Sequence, residues 1–280
     1  MAKSKIAPFL KWVGGKRQLI AAITELLPDN IGTYYEPFIG GGALLFHLKP
    51  QKAVINDFNE ELINVYKVIK EEVDNLIVDL HTHKNESDYF YDLRIQDRQE
   101  GFEKWSPLKK ASRVIYLNKT CFNGLYRVNR SGEFNAPFGR YKNPNIVNEK
   151  TLRAVSQYLN ENDIQLHSKD FETVLKKAKK EAFVYFDPPY DPVSKSANFT
   201  GYVQGGFGEA DQIRLRDLCI KLDKKGIRFL LSNAATPFIK DLYQDFDIQY
   251  VKAIRSINSN GKKRGGVDEV LIRNYESIQK

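Results

Sequence analysis

Only two cysteines, Cys121 and Cys219, occur in 280 residues, too few for a disulfide framework and in no CxxC pair of the kind that holds zinc. Buried or half-buried thiols are the expected state. Histidine is also scarce. His81 and His83 stand two apart in a polar stretch and His47 and His167 stand alone, so solvated or packed roles are expected, not a metal site, and no Ser-His-Asp pairing can be argued from their spacing. Long apolar runs are missing. Stretches such as Phe229 to Leu231 fall far short of the ~18 residues of a membrane span, and "MAKSKIAPFLKW" lacks a signal-peptide apolar region, so a cytosolic protein is expected. Internal repeats and low-complexity segments are absent too. The 42% of hydrophobic residues suffices for one large core, or for one core and a smaller domain.

Charge is present but uneven. Residues 104–153 carry eleven basic residues against Glu133 and Glu149, a balance of +9 in a chain whose total is +8. Tyr116, Phe122, Tyr126, Phe134, Phe138 and Tyr141 are interleaved with those cations. A charge run is usually a solvated face, but this mixture of cations and rings is the one that nucleic-acid surfaces use, so a polyanion partner is expected.

Four apolar stretches end in or near an acid: "TYYE" at Glu36, "AVIND" at Asp57, "IQLHSKD" at Asp170 and "VYFD" at Asp187. In an open α/β sheet ligands bind beyond the carboxyl ends of the strands, so these four acids are placed to converge on one ligand in a doubly wound domain. Helical patterns lie between and after them, over Gln18–Leu27, Glu60–Ile69 and Asp211–Leu222, the last with Leu215, Leu218 and Leu222 on one face. Further strands are expected over residues 227–233, 248–254 and 267–275, the last two forming a hairpin around "SNGKKRGG". Residues 71–160 break the strand–helix rhythm. They read as helices, notably Leu108–Cys121, leading into "GLYRVNRSGEFNAPFGRY", in which "RSG" is a hairpin turn. The expected organisation is a catalytic domain from residues 1–70 and 161–280 with 71–160 inserted as a smaller lobe.

Gly40, Gly41 and Gly42 in "EPFIGGGALLF" lie between a strand and an apolar helix, where the chain turns tightly and a ligand can approach the backbone. The spacing is not a full GxGxxG, because Leu45 occupies the third glycine's place. Asp57, fifteen residues past Gly42, suits the hydroxyls of a ribose, which implies an adenosine-bearing cofactor without separating NAD from S-adenosylmethionine. "WVGGKRQ" lacks P-loop spacing and has Arg17 where a Mg²⁺-binding hydroxyl belongs, which excludes ATP or GTP hydrolysis.

"DPPY", residues 187–190, comes directly after the buried-strand run "AFVYF". Two prolines end the strand and stiffen the adjoining backbone. An exocyclic amine on adenine or cytosine is a poor nucleophile because its lone pair is delocalised into the ring. A carboxylate and a backbone carbonyl fixed in its plane would hold both N–H groups and favour a pyramidal nitrogen, while an adjacent ring stacks on the base.

These blocks, in the order "PFLKWVGGKR", "EPFIGGGALLF", "NDFNEELI", "NGLYRVNRSGEFNAPFGRY", "KDF", "DPPY", "NFTGY" and "RSINSNGKKRGGVDEVL", resemble the Dam-type adenine-N6 DNA methyltransferases in their alpha arrangement across nearly the whole chain. The resemblance implies a Rossmann-like, doubly wound, mostly parallel sheet with an inserted, mainly helical target-recognition lobe carrying a β-hairpin. It further implies S-adenosylmethionine as methyl donor and double-stranded DNA as substrate, with an adenine flipped from the stack inside 5′-GATC-3′. By that resemblance Asp187, Pro188, Pro189 and Tyr190 grip the target base. Trp12, Lys16, Glu36, Phe38, Gly40, Gly42, Asp57, Asp170, Phe171 and Asp187 surround the cofactor. Lys11, Phe122, Asn123, Arg127, Asn129, Pro137 and Arg140 meet DNA, with Arg127 reading a guanine through its planar fork. The Gly-rich "NFTGYVQGGFG" stretch would order over the flipped base. Also implied are no metal and no membrane, a monomer or weak dimer, and the cytoplasm of a bacterial or phage-infected cell. A cytosine-N4 or RNA methyltransferase of the same fold, or a silent DNA-binding regulator, are the rival expectations; cytosine-C5 chemistry needs a cysteine nucleophile, which neither cysteine's context supplies.

Overall fold

The computed structural model describes residues 6–12, 14–129, 131–192, 206–254 and 266–276. Strands Tyr34–Glu36 (β1), Lys52–Asn56 (β2), Asp163–His167 (β3), Phe183–Phe186 (β4), Arg228–Ala234 (β5), Asp247–Ile254 (β6) and Gly266–Arg273 (β7) form one seven-stranded sheet in the order β3-β2-β1-β4-β5-β7-β6. All pairings are parallel except those of β7, which runs antiparallel to both β5 and β6. From β1 the chain builds outward through β2 and β3, then returns to the other side of β1 with β4. The strand order therefore reverses between β1 and β4, and the crevice of a doubly wound sheet opens there.

The inner strands β1, β2, β4 and β5 read as apolar runs because both faces are covered, whereas the edge strands β3 and β6 are largely exposed. Tyr34, Ile55, Phe183, Tyr185 and Leu230 point into a core shared with helices Ile20–Glu25 (α1), Ala43–Leu48 (α2), Glu60–Leu80 (α3), Ser87–Arg94 (α4), Pro107–Thr120 (α5) and Glu149–Glu161 (α6). Their neighbours Tyr35, Val54, Val184, Phe186, Phe229 and Leu231 point the opposite way, against Phe171–Leu175 (α7), Glu209–Lys224 (α8) and Pro237–Leu242 (α9). The face of α8 formed by Leu215, Leu218 and Leu222 is the buried one, as its spacing predicts.

Local chemistry sets the helix ends. Asn59, Ser106, Asp170 and Thr236 each accept a hydrogen bond from a first-turn N–H of α3, α5, α7 and α9, and Pro107 and Pro237 occupy first-turn positions that need no N–H donor. Two helices depart from the sequence reading. The run expected over Gln18–Leu27 is a 3-10 turn, Lys16–Gln18, and then the shorter α1. The one expected to end at Ile69 continues to Leu80 across a non-helical Glu72 (φ −137°, ψ 35°), because Leu76, Ile77 and Leu80 reach the core.

Within 71–160, α5 and α6 lie against α3, and their buried residues are continuous with the sheet's first core. After α5 the chain forms the hairpin read at "RSG": Val128 bridges Phe134, Asn129 N–H donates to Glu133 O at 2.9 Å, and Asn135 N–H to Arg127 O at 2.9 Å. The β6–β7 hairpin forms as expected, although its connecting residues, like most of "NFTGYVQGGFG", lie outside the described ones.

Candidate active site

Asp187 is the first residue beyond β4, at the crevice. Lys16 Nζ lies 2.7 Å from its Oδ1, and Ser232 Oγ on β5 donates to the same oxygen at 3.1 Å. Burial pushes the Asp187 carboxyl up, while Lys16 and Ser232 pull the other way. Lys16 Nζ also donates to Gly14 O at 2.7 Å and stands 4.4 Å from the centroid of the Tyr190 ring. Tyr190 donates from its hydroxyl to Glu269 Oε2 on β7 at 2.8 Å. Gln212 Nε2 on α8 donates to Pro189 O at 2.9 Å, Asn233 Nδ2 donates to Gln212 Oε1 at 3.1 Å, and Asn233 Oδ1 accepts the Asp191 N–H at 3.1 Å. Thr236 Oγ1 donates to Asp191 Oδ2 at 2.6 Å. The segment 187–191 is thus anchored from the N-terminal turn, β5, β7 and α8, and its side chains need no rearrangement to be held.

The second group surrounds the ends of β1 and β2. Glu36 is buried and accepts from Tyr34 Oη at 2.8 Å; burial pushes its carboxyl well up. Burial likewise raises Asp57 to about 6, against the opposing pull of the Asn59 and Gly40 N–H groups, each of which donates to one of its oxygens at 3.0 Å. Gly40 has φ +47° and a Cβ there would lie 2.7 Å from Trp12 Cδ1; at Gly42, φ +70°, it would lie 2.6 Å from Tyr66 Oη. These glycines are therefore demanded by backbone handedness and by side chains packed onto the turn. Asp170 caps α7 and pairs with Arg214 at 2.9 Å. Phe38, Phe171 and Phe207 form a ring cluster, with Phe38 centroids 5.5 Å and 5.7 Å from the other two. Asn56 stitches the strand ends together, donating to Pro37 O and Lys169 O and accepting from Lys169 N–H.

A third group gathers after α5. Lys11 exchanges backbone hydrogen bonds with the Asn118 side chain, at 3.0 Å and 2.8 Å, and its ammonium lies over the Tyr141 ring. Phe122 is 56% exposed. Asn123 and Arg140 are exposed and both adopt left-handed backbone (φ +59° and +53°). Pro137 is exposed too, and its carbonyl accepts the Phe122 N–H at 2.8 Å. Arg127 is pinned across the hairpin, Nε and Nη2 donating to the side-chain and backbone oxygens of Asn135 at 2.6 Å and 2.8 Å. Asn129 differs from its neighbours: its side chain is occupied in the turn, accepting from Ser131 N–H and Glu133 N–H and donating to Glu133 Oε2. Burial raises both thiols, Cys121 to about 12, so neither is poised as a nucleophile.

Residues 12–257 match the family described as D12 class N6 adenine-specific DNA methyltransferase. The chain belongs to that family. It is 47% identical to the Type II methyltransferase M1.LlaDCHI of Lactococcus lactis subsp. cremoris, over 98% of this chain and 97% of that one. It is 44% identical to the Type II methyltransferase M.MjaIII of Methanocaldococcus jannaschii, covering 97% of this chain and all of the relative, and 37% identical to the DNA adenine methylase of Serratia marcescens, covering 94% and 96%. Family membership supports adenine-N6 methylation of DNA as the activity.

Sequence reasoning passed over several residues of this methyltransferase's crevice. Ser232, Asn233 and Gln212 are fully or almost fully buried and hold the 187–191 segment; the available signal was "LLSNA", a polar pair closing an apolar strand. Glu269 gave no signal: it stands beside Asp268 at the start of the apolar run of β7, and its contact with Tyr190 crosses 79 residues of chain. Phe58, the residue after Asp57, is 58% exposed. Among the described residues no cluster of His, Cys, Asp and Glu is placed to hold a metal ion, and no helix is long and apolar enough to cross a membrane.

Proposed function

We propose that this methyltransferase transfers the methyl group of S-adenosylmethionine to N6 of an adenine flipped out of duplex DNA, within 5′-GATC-3′, in the cytoplasm. The observation that carries the reading is the anchored 187–190 segment: a carboxylate held on one oxygen by Lys16 and Ser232, a proline-stiffened backbone, and a ring at its end. Asp187 and the Pro188 carbonyl accept the two N6–H bonds, and Tyr190 stacks on the base. With the donor bound, N6 would take its methyl group, the electron pair of the broken S–C bond staying on sulfur, and the N6 proton then shed would pass to the Asp187 carboxylate that accepts its hydrogen bond and on to solvent. No enzyme-bound covalent intermediate is needed.

The donor set near Asp57 fits the adenosyl part of such a cofactor. Asp57 offers a carboxylate for the ribose hydroxyls, and Phe58, Phe38 and Phe171 supply apolar faces for the adenine, with Asp170 at its edge. Trp12, Lys16 and Glu36 would hold its other end, with Gly40 and Gly42 shaping the turn between. When bound, the cofactor supplies an electrophilic sulfonium methyl. Residues 71–160 act as the target-recognition region. Arg127, with its plane set by Asn135, reads a guanine edge. Lys11, Phe122, Asn123, Pro137 and Arg140 meet neighbouring bases and backbone, and Asn129 supports the hairpin turn.

The test is methylation of defined oligonucleotides with tritiated donor, then digestion to nucleosides. Label in N6-methyl-2′-deoxyadenosine from duplexes containing GATC, absent from duplexes lacking it and from RNA, supports the reading; label in N4-methyl-2′-deoxycytidine or in RNA removes it. Asp187→Ala is expected to keep cofactor binding and lose turnover.

A further inference from the structure

Both strands of the hairpin that carries Arg127 are tied to the elements around Asp57, and the tie runs through an ionic cluster in which the Arg113 side chain is buried, that of Asp97 nearly so, and Glu61 is half-buried. On the outgoing strand Tyr126, 2% exposed, stacks its ring on Trp12, with centroids 4.9 Å and planes 24° apart. Its hydroxyl donates to Glu61 Oε2 at 2.8 Å, in the first turn of α3. Trp12 in turn fills the space above Gly40, whose N–H donates to Asp57. On the return strand Phe134 N–H donates to Asp97 Oδ2 at 2.7 Å. Arg113, 1% exposed, joins the two ends: it lies 2.8 Å from Asp97 and 3.8 Å from Glu61, and donates to Leu93 O and Arg94 O.

Burying Arg113 and nearly all of the Asp97 side chain is costly, and apolar residues of similar volume often hold such elements together as well. What a hydrogen bond adds is direction. Tyr126 and Val128 face inward on this strand and Arg127 lies between them, so a slip of one residue would turn Arg127 into the core side and away from any partner. The ring stack alone tolerates sliding; a phenol aimed at one carboxylate oxygen does not.

We propose that Tyr126 is a positioning residue for base readout: its hydroxyl, anchored on Glu61, keeps the outgoing strand in the one register that presents Arg127 beside the Trp12–Gly40–Asp57 side of the site. This rests on the reading of Arg127 as the residue that discriminates a guanine.

Tyr126→Phe keeps the ring on Trp12 and removes only the hydroxyl. The quantity to measure is the ratio of kcat/KM on a GATC duplex to kcat/KM on duplexes with its guanine replaced, beside the affinity for the cofactor analogue sinefungin. The ratio is expected to fall about tenfold, with sinefungin binding unchanged. Tyr126→Leu, lacking both ring and hydroxyl, is expected to lower it at least as far. A phenol that merely supports the fold would lower thermal stability and scale both rates together; an unchanged ratio in Tyr126→Phe overturns the proposal. Arg127→Ala serves as the control. If it collapses the ratio and Tyr126→Phe does not, the positioning role falls and the readout stands; if Arg127→Ala leaves the ratio intact, both fall.

Discussion

Lys16 Nζ lies 2.7 Å from Asp187 Oδ1, so the carboxylate that ends β4 is held by a cation from the N-terminal segment, 171 positions earlier in the chain. Burial alone drives that carboxyl toward its protonated form, and only the ionised form accepts from an amine without offering a competing proton. With Lys16→Met the carboxyl is expected to titrate at higher pH, moving the acid limb of the kcat profile upward at saturating cofactor and DNA. A limb that stays in place would show that the ion pair serves only to position the turn.

Asp57 carries a pH dependence of the opposite kind, in stability. In the folded chain its carboxyl titrates at about 6, whereas an unfolded aspartate titrates near 4. Between those values the native state binds more protons, so this group's contribution to stability is present below about pH 4 and is lost as pH rises through about 6. In Asp57→Asn that loss is missing, and the thermal midpoint of the variant relative to wild type is expected to rise between pH 5 and pH 7.5. Cofactor affinity should fall by about 1.5–3 kcal/mol, the range for a charged hydrogen bond.

Asn233 satisfies three polar groups from a fully buried position, taking the Asp191 and Ala234 N–H groups on its oxygen and donating to Gln212. Asn233→Ala leaves those groups without partners, a loss of about 1–3 kcal/mol in urea unfolding. It also slackens the segment that carries Asp187 and Tyr190, so kcat should fall at saturating cofactor and DNA. A stability loss with kcat unchanged would confine the network to a structural role.

Gly40 is constrained twice, by φ +47° and by Trp12 Cδ1 at 2.7 Å from where a Cβ would sit. Gly40→Ala therefore costs at least about 1–2 kcal/mol for the left-handed backbone, and it displaces the indole. Intrinsic fluorescence in a Trp105→Phe background, which leaves Trp12 as the sole indole, is expected to shift. An unshifted spectrum would mean that the turn relaxes instead.

The apolar runs that stop at Glu36, Asp57 and Asp187 were legible as buried strands because a strand covered on both faces needs no polar alternation, and the "RSG" hairpin was legible because its turn is built from neighbours in sequence. Asn129 carries a second role that spacing did not show: resemblance groups it with residues that meet DNA, and its side chain also closes the turn. The full length of α3 was not legible, since Leu76, Ile77 and Leu80 lie beyond a break at Glu72 and only the core they reach reveals that the helix resumes.

Local chemistry along the chain determined the strand ends, the helix caps, the strained turn at Gly40 and the residue types gathered at the strand ends. Tertiary structure alone decided that Lys16 faces Asp187, that Gln212 and Asn233 brace Pro189 and Asp191, and that Tyr126 reaches Glu61. These partners are 23 to 171 residues apart in the chain, where side-chain spacing carries no information; those of residues 187–191 meet where the strand order reverses between β1 and β4, and Tyr126 meets Glu61 because α5 packs on α3.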